Sequence, residues 1–543
     1  MNLLHDPWMP VRDSAGKRHW ITPDRLAEPQ WRAFDADRPD FNGALAQFAI
    51  GLLQTTTTVT NVIQWGRLYK TPPDAATLRQ WFEPLAAAFV LDGEGPRFMQ
   101  DVDLGSEGVA INDIGALLIE SPGEQTLKNN ADLFVKRAQV NAMCPCCAAL
   151  ALFTLQLNAP AGGAGHRTGL RGGGPLTTLV LATGDAGLWR HLWLNVRERP
   201  AFLAQGGDTE RANAQHSFPW LGPVSTLQTL KGETAQAQVH PAHMFWAMPR
   251  RIRLQASASE AGMCDCCGRS SQPLFTQYAT KNYGFNYKGA WSHPLSPYYE
   301  TKEGWLPMHP QPDGLGYRHW LAWTLGAASE RQTTRVAQVV DRALALPIRT
   351  TGGPLRLWAF GYDMDNMKAR CWFESTLPVY GLGDCDNDAR NGVKAEVGRW
   401  LAAAELAGSY LRGAVKDAWF SADARGEFRH VDATFWAATE AEFYQHLQAL
   451  IDTAAANTEH PALPAREAWH AVLTHTVLNL FDTHFVGTGA VERQNPRRVA
   501  LAHRQLRSSL YGPKLRLALG LPVDKTASKP ARKATKRAVK EAA

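Results

Sequence analysis

A chain of 543 residues can bury a large core and is expected to form two or more domains; 45% hydrophobic and 20% charged residues exclude a disordered or fibrous protein. No apolar run is long enough for a membrane-spanning helix. The net charge of +6 does not describe the folded body: residues 525–543 hold seven Lys/Arg against one acid, leaving 50 of each sign elsewhere, so any nucleic-acid contact must come from local patches.

The first ten residues lack a basic segment followed by an apolar one, so no signal peptide is read and a cytoplasmic location is expected. Met1 to Arg12 reads as a short apolar strand ending in a turn. Phe41, Leu45, Phe48 and Leu52 recur at helical spacing and predict a helix from Phe41 to Gln54, ended by the run Thr55 to Thr58. Leu78, Trp81, Phe82, Leu85 and Phe89 predict an amphipathic helix over 73–90. Asn129 to Arg137 carries Phe134 and Val135 beside Lys136 and Arg137. It is either an ordinary loop or a basic, aromatic loop able to stack on a nucleotide.

Two cysteine knuckles dominate the middle of the chain. Cys144-Pro-Cys146-Cys147 and Cys264-Asp-Cys266-Cys267 each offer a C-x-x-C pair, Cys144/Cys147 and Cys264/Cys267. Two such pairs supply four thiolates, the ligand set of a structural zinc, with no position left for a catalytic water. The wide separation makes the metal a clamp between distant parts of one fold. Cys146 and Cys266 are spare, which leaves the ligand register open; reduced core cysteines without metal are the alternative.

Ala148 to Asn158 reads as apolar helix. Ala159 to Gly174 is glycine-rich and holds His166, Arg167 and Arg171. Glycine permits close backbone approach to a ligand, and arginines add phosphate-binding charge. No Gly-Lys-Ser/Thr follows, and a strand-like run from Leu176 to Ala182 stands where a dinucleotide fold needs a helix. The loop is therefore either flexible surface or a backbone contact for nucleic acid. Pro249 to Leu254 reads as a basic strand, and Tyr278 to Gly284 with Trp291 to Pro297 as an aromatic, lysine-bearing section. Leu355 to Phe360 reads as a buried strand, followed by a polar turn from Gly361 to Arg370 that presents Asp365 and Asn366.

Four helical patterns follow, near 390–419, 432–456, 464–485 and 495–518, with Asp432 and Asn495 as N-caps and Pro464 and Pro496 at helix starts. Short connections predict a four-helix bundle. Arg497, Arg498, Arg504, Arg507, Lys514 and Arg516 give the last pattern a basic flank. His470, His475 and His484 read as core or surface histidines, with no metal-binding HExxH pattern around them.

Met1-Asn-Leu-Leu-x-Asp-x-Trp8, the split cysteine pairs, Thr168 to Gly173, Trp291-x-His-Pro-x-Ser-Pro297 and the helical C-terminal part together resemble CasA, the large-subunit family of the type I-E CRISPR surveillance complex, Cascade. The resemblance covers residues 1 to about 520. It implies a non-enzymatic subunit that recognises a protospacer-adjacent motif in duplex DNA from the minor groove and helps start unwinding and R-loop formation. It also implies recruitment of a helicase-nuclease in antiviral defence.

Partners so implied are the guide-loaded Cascade subunits, double-stranded target DNA, the displaced non-target strand and the helicase-nuclease, with no membrane. By the same resemblance, a glycine loop falls on Gly162, Gly163, Ala164 and Gly165, and a duplex-splitting wedge on Asp365, Asn366 and Met367. A lysine finger falls at Lys281 or its neighbour Asn282, and a loop contacting the guide RNA and a neighbouring subunit on Phe134, Val135 and Lys136. Asn366 stands where one member has a glutamine, and Ala164 where it has a glycine.

The fold expected is α+β: a mixed N-terminal domain over 1–380 clamped by a structural zinc, an all-α four-helix bundle over 381–520, and a disordered basic tail over 521–543. A zinc-stabilised RNA-processing enzyme and a purely structural scaffold are the competing classes; no base or nucleophile constellation supports the enzyme.

Overall fold

The computed structural model describes residues 1–130, 139–163, 165–210, 214–223, 232–257, 261–289, 291–312, 314–327, 333–346, 351, 353–365, 367–382, 385–420, 426–456, 462–487 and 495–523. Phe134, Val135, Lys136, Ala164, Asn366 and the tail from 524 lie outside them. The chain divides into two compact units, Met1–Cys385 and Asp386–Ala543.

In chain order the first unit opens with β1 (Met9–Asp13), β2 (Arg18–Ile21), β3 (Trp31–Phe34) and α1 (Pro39–Thr56). There follow β4 (Ala110–Asp113), α2 (Pro145–Asn158), β5 (Thr177–Ala182), β6 (Arg251–Ser257), β7 (Gly262–Met263), β8 (Ser270–Ser271) and β9 (Leu274–Lys281). It closes with β10 (Tyr298–Thr301), β11 (Gly304–Pro307), β12 (Thr334–Arg335), β13 (Leu355–Asp365) and β14 (Lys368–Val379). The sheets are small: β2-β1-β3, β4-β9-β6, β11-β10-β12 and β14-β13-β5, plus the ribbon β7-β8. Every pairing of these strands is antiparallel. The unit mixes helix and sheet, as expected.

Its core explains the tryptophan content. Phe48 of α1 is fully buried. It meets Trp8 (5.0 Å between centroids), Phe89 (5.6 Å), Phe98 (5.9 Å), Phe153 (5.7 Å) and Trp246 (5.6 Å), all close to edge-on, the arrangement favoured by ring quadrupoles. Trp246, Trp220 and Phe218 extend the cluster, so helices α1 and α2 and several loops share one aromatic core.

Several local expectations are corrected. The opening strand spans only Met9–Asp13, because Asn2 to Asp6 closes a turn, with the Asp6 amide donating to the Asn2 carbonyl. The 73–90 helix is α only over Ala75–Phe82 and tightens to 3-10 over Glu83–Phe89, where Pro84 removes a backbone donor. The strand read as Leu355 to Phe360 runs on to Asp365, and what looked like a long polar turn is the rest of a hairpin, with Asp365 opposite Lys368.

Among the described residues the second unit is helical: α3 (Asn387–Trp419), α4 (Arg429–Ala455), α5 (Ala462–Asn479), α6 (Pro496–Leu510) and α7 (Pro513–Ala518). Helix α3 packs against each of the others. Glu396 receives Arg466 Nη2 at 2.7 Å and Arg399 Nη1 at 3.0 Å, and Trp469 donates to the Trp400 carbonyl at 3.1 Å. Asn495 caps α6 by accepting from the Arg497 and Arg498 amides. Asp432 is no cap: α4 begins three residues earlier, and the aspartate pairs with Arg412 instead. The third pattern ends in a π turn over Leu480–Phe485, and the fourth is broken at Gly512-Pro513.

Candidate nucleic-acid interface and metal centre

The two cysteine knuckles meet. Cys144 is the N-cap of α2, with its sulfur accepting from the Cys147 amide, and Pro145 fits the first helical position. The second knuckle turns between β7 and β8, and Asp265 fastens it to the first: its carboxylate accepts from the Asn141 amide at 2.7 Å and the Ala142 amide at 3.0 Å. The sulfurs of Cys144, Cys147, Cys264 and Cys267 all lie within 4.8 Å of one another, the first three buried. Cys146 and Cys266 fall outside this set; Cys146 lies 4.0 Å from the Arg269 guanidinium, which itself covers Trp20. Four convergent thiols could hold a metal ion, and the donor set is consistent with zinc.

Hydrogen bonds from neighbouring thiols hold Cys264 far below the ordinary thiol range, while Cys144 is pushed up to about 12, chiefly by Cys146.

The glycine loop leaves α2 and runs over the end of the β4-β9-β6 sheet. The backbone of Gly165 lies against Asn282 and Tyr283: a Cβ on Gly165 would stand 2.6 Å from the Asn282 Cβ. The Tyr283 amide donates to the Gly165 carbonyl at 2.9 Å. Arg167 lies over the Tyr283 ring at 5.5 Å. Arg250, just before β6, joins His166 and reaches the Pro160 carbonyl at 2.5 Å. Burial pushes Arg250 down to about 10. Lys281 ends β9 as its middle strand, opposite Arg251 on β6 and beside Gly108 before β4. Lys281 forms no ion pair among the described residues. Three of the expected nucleic-acid residues, Gly165, Lys281 and Asn282, are thus brought together from distant sequence.

The far end of the same loop sits on the hairpin. Gly174 has φ +60°, and a Cβ there would meet the Tyr362 Cβ at 2.6 Å and its carbonyl oxygen at 2.7 Å. Asp365 and Met367 are exposed at the tip, Met367 at 53%. Below them Arg370 grips Asp363 with two contacts of 2.8 Å, tying β14 to β13.

One expected phosphate ligand is corrected. Arg171 is 3% exposed; its guanidinium donates to Thr177 Oγ1 at 3.0 Å, to Ser296 Oγ at 2.9 Å and to Gln47. It is a core strut. Tyr278 and Trp291, read as part of an aromatic section, are also buried. The sequence reading missed Arg250 and Tyr283 as supports of the loop, although both lie in stretches whose basic or aromatic character was visible.

On α6, Arg497, Arg504 and Arg507 are exposed, and Tyr511, which caps its C-terminus, is 55% exposed. His470 is buried and bonds the Leu510 carbonyl at 2.9 Å, whereas His475 and His484 are exposed. No helix among the described residues is long and apolar enough to cross a membrane.

Residues 2–480 match the family described as CRISPR-associated protein Cse1. Solved structures similar to this chain include these three. Thermobifida fusca Cse1 is 15% identical, with a TM-score of 0.65 over 96% of this chain and 98% of its own. Thermus thermophilus CasA is 17% identical, with a TM-score of 0.63 over 94% and 99%. A chain from a structure described as a CRISPR RNA-guided surveillance complex is 17% identical, with a TM-score of 0.64 over 94% and 99%.

Proposed function

The chain belongs to the CRISPR-associated Cse1 family, and from that premise we propose that it is the large subunit of a type I-E RNA-guided surveillance complex. In this reading it binds and does not catalyse. It recognises the protospacer-adjacent motif of duplex DNA through the minor groove, helps initiate unwinding and the R-loop, and helps recruit the helicase-nuclease. Guide-loaded Cascade subunits are its partners. The guide reads the target by base pairing while the protein reads a short motif, the division of labour seen in RNA-guided effectors. The minor groove distinguishes little more than A·T from G·C, so a permissive motif is expected.

The observation that carries the proposal is the packing of Gly165 on Asn282 beside Lys281. A half-buried glycine backbone next to a lysine free of ion pairs among the described residues suits a narrow groove flanked by phosphates. The glycine loop (Gly162, Gly163, Ala164, Gly165) and Lys281 with Asn282 would contact the motif. The hairpin tip (Asp365, Asn366, Met367) would enter the base stack, where unstacking costs about a few kcal/mol per step. Phe134, Val135 and Lys136 would contact the guide and a neighbouring subunit.

Zinc at Cys144, Cys147, Cys264 and Cys267 would supply cohesion between two distant segments and no chemistry. Residues 1–380 would hold these sites. Residues 381–520 would act as a four-helix bundle whose exposed arginines on α6 guide the displaced strand, and the basic tail from 521 would add only counterion-releasing charge.

The test is target-duplex binding by the guide-loaded complex, with and without this chain, across a library of flanking trinucleotides. Tighter binding next to particular flanks only when the chain is present is the expected result. Binding indifferent to both chain and flank would leave a scaffold role in its place.

A further inference from the structure

Tyr362 stands where three segments meet. It lies on β13, three residues before the hairpin tip. Its backbone supports Gly174 at the end of the glycine loop, and its ring packs edge-on against Trp372 of β14 at 5.0 Å. Its hydroxyl donates to Asp40 Oδ2 at 2.7 Å. Asp40, 3% exposed in the first turn of α1, also accepts from Arg38 Nε at 3.1 Å, Arg38 Nη2 at 3.0 Å and the Phe41 amide at 3.1 Å. Arg38 in turn holds Glu120 through two contacts of 2.8 and 2.9 Å. It lines a small cavity together with Cys146, Cys147, Cys266 and Cys267.

We infer that Tyr362, Asp40 and Arg38 form a positioning relay that anchors the β13–β14 hairpin to α1, so that its tip enters a duplex as a rigid wedge. The inference rests on the proposed role of the hairpin in opening DNA. A saturated, buried carboxylate has no slack: each of its donors is fixed by the others. The phenol links this network directly into the hairpin, and Arg370 on Asp363 stiffens the two strands beyond it. A tip held this way transfers load to the base stack. A tip free to tilt yields instead. Tyr362 touches no DNA in this account and acts through the tip.

The test uses the full chain in the guide-loaded complex. Opening of the first target base pairs is followed by 2-aminopurine fluorescence, on a fully paired target and on one whose first pairs are mismatched in advance. Tyr362→Phe should slow opening of the paired target about tenfold, the factor that 1.4 kcal/mol gives, and leave the mismatched target unaffected. Asp40→Asn, which keeps the shape but removes the charge, should show the same selectivity. Equal loss on both targets, or no loss on the paired one, overturns the relay. Met367→Gly separates the two readings. If it too opens the paired target at the parental rate, the hairpin is not the wedge; if it alone slows opening, the wedge stands and the relay fails.

Discussion

The Arg171 guanidinium donates to the Ser296 hydroxyl at 2.9 Å, joining two motifs that lie far apart in the sequence, Thr168 to Gly173 and Trp291 to Pro297. Its other side-chain partners are Thr177 and Gln47, and burial pushes it down to about 10. A planar fork with several donors satisfies all three acceptors at once, which an ammonium at the end of a lysine does not do. Arg171→Lys should therefore destabilise the first unit by roughly 2–3 kcal/mol, the cost of leaving buried polar groups unsatisfied. Thermal unfolding followed by tryptophan fluorescence checks this. A variant that melts like the parent but loses DNA affinity would return Arg171 to the role of phosphate ligand.

The four-sulfur set predicts metal content residue by residue. Purified chain should contain zinc, and Cys147→Ser should lose it and melt at markedly lower temperature, because metal affinity at such a site is folding energy. Cys146→Ser should keep its zinc, since its sulfur lies outside the four. Atomic absorption distinguishes the cases, and full zinc retention in Cys147→Ser would rule out this ligand set.

These two sites show what sequence alone reveals. The C-x-x-C spacing is local chemistry, so the two cysteine pairs were legible before any fold, while the choice of Cys144, Cys147, Cys264 and Cys267 over Cys146 and Cys266 needed the convergence of the four sulfurs. The helix over Phe41 to Gln54 was legible because one apolar face repeats at the helical period. Arg171 was not, because a loop arginine among glycines looks the same whether its acceptors are phosphates or the buried Thr177 and Ser296. Gly361 to Asp365 read as turn because glycine and aspartate favour turns, yet eleven-residue pairing along β13 and β14 overrode that preference. The meeting of Gly165 with Asn282 depends on how α2 and β9 pack, and no local pattern carries it.

Buried histidines set an acid limit. His243, 1% exposed, lies between the His216 carbonyl and the Tyr287 hydroxyl, and burial pushes it down to about 4. His319 falls to about 3 and His293 well below its ordinary range, both chiefly through burial. Well above pH 6.5 these groups are neutral in folded and unfolded chains alike and contribute nothing to the pH dependence. As pH falls below 6.5 the unfolded chain takes up protons that the folded one refuses, and stability declines until the folded groups titrate. A shift like that of His243 corresponds to on the order of 3 kcal/mol when complete. The melting temperature of the first unit should drop steadily from pH 7 to pH 5. A flat profile across that window would contradict neutral burial.

Two glycines of one loop should act by different routes. Gly165 has φ +84° and no room, its would-be Cβ lying 2.6 Å from the Asn282 Cβ and 3.1 Å from the Tyr283 ring. Gly163 has nothing within 4 Å of its would-be Cβ. Gly165→Ala must strain the backbone by about 1–2 kcal/mol and push Asn282 away, displacing Lys281 at the end of β9. Affinity of the assembled complex for target duplex should fall about tenfold, as 1.4 kcal/mol requires, with the melting temperature little changed because the loop lies at the sheet's exposed end. Gly163→Ala meets no protein atom within 4 Å, so it should leave Asn282 and Lys281 in place, and any loss of affinity it causes comes from crowding the groove directly. Parental binding by Gly165→Ala would mean that the contact between the glycine loop and β9 does not shape the DNA-facing surface, and the assignment of Lys281 would fall with it.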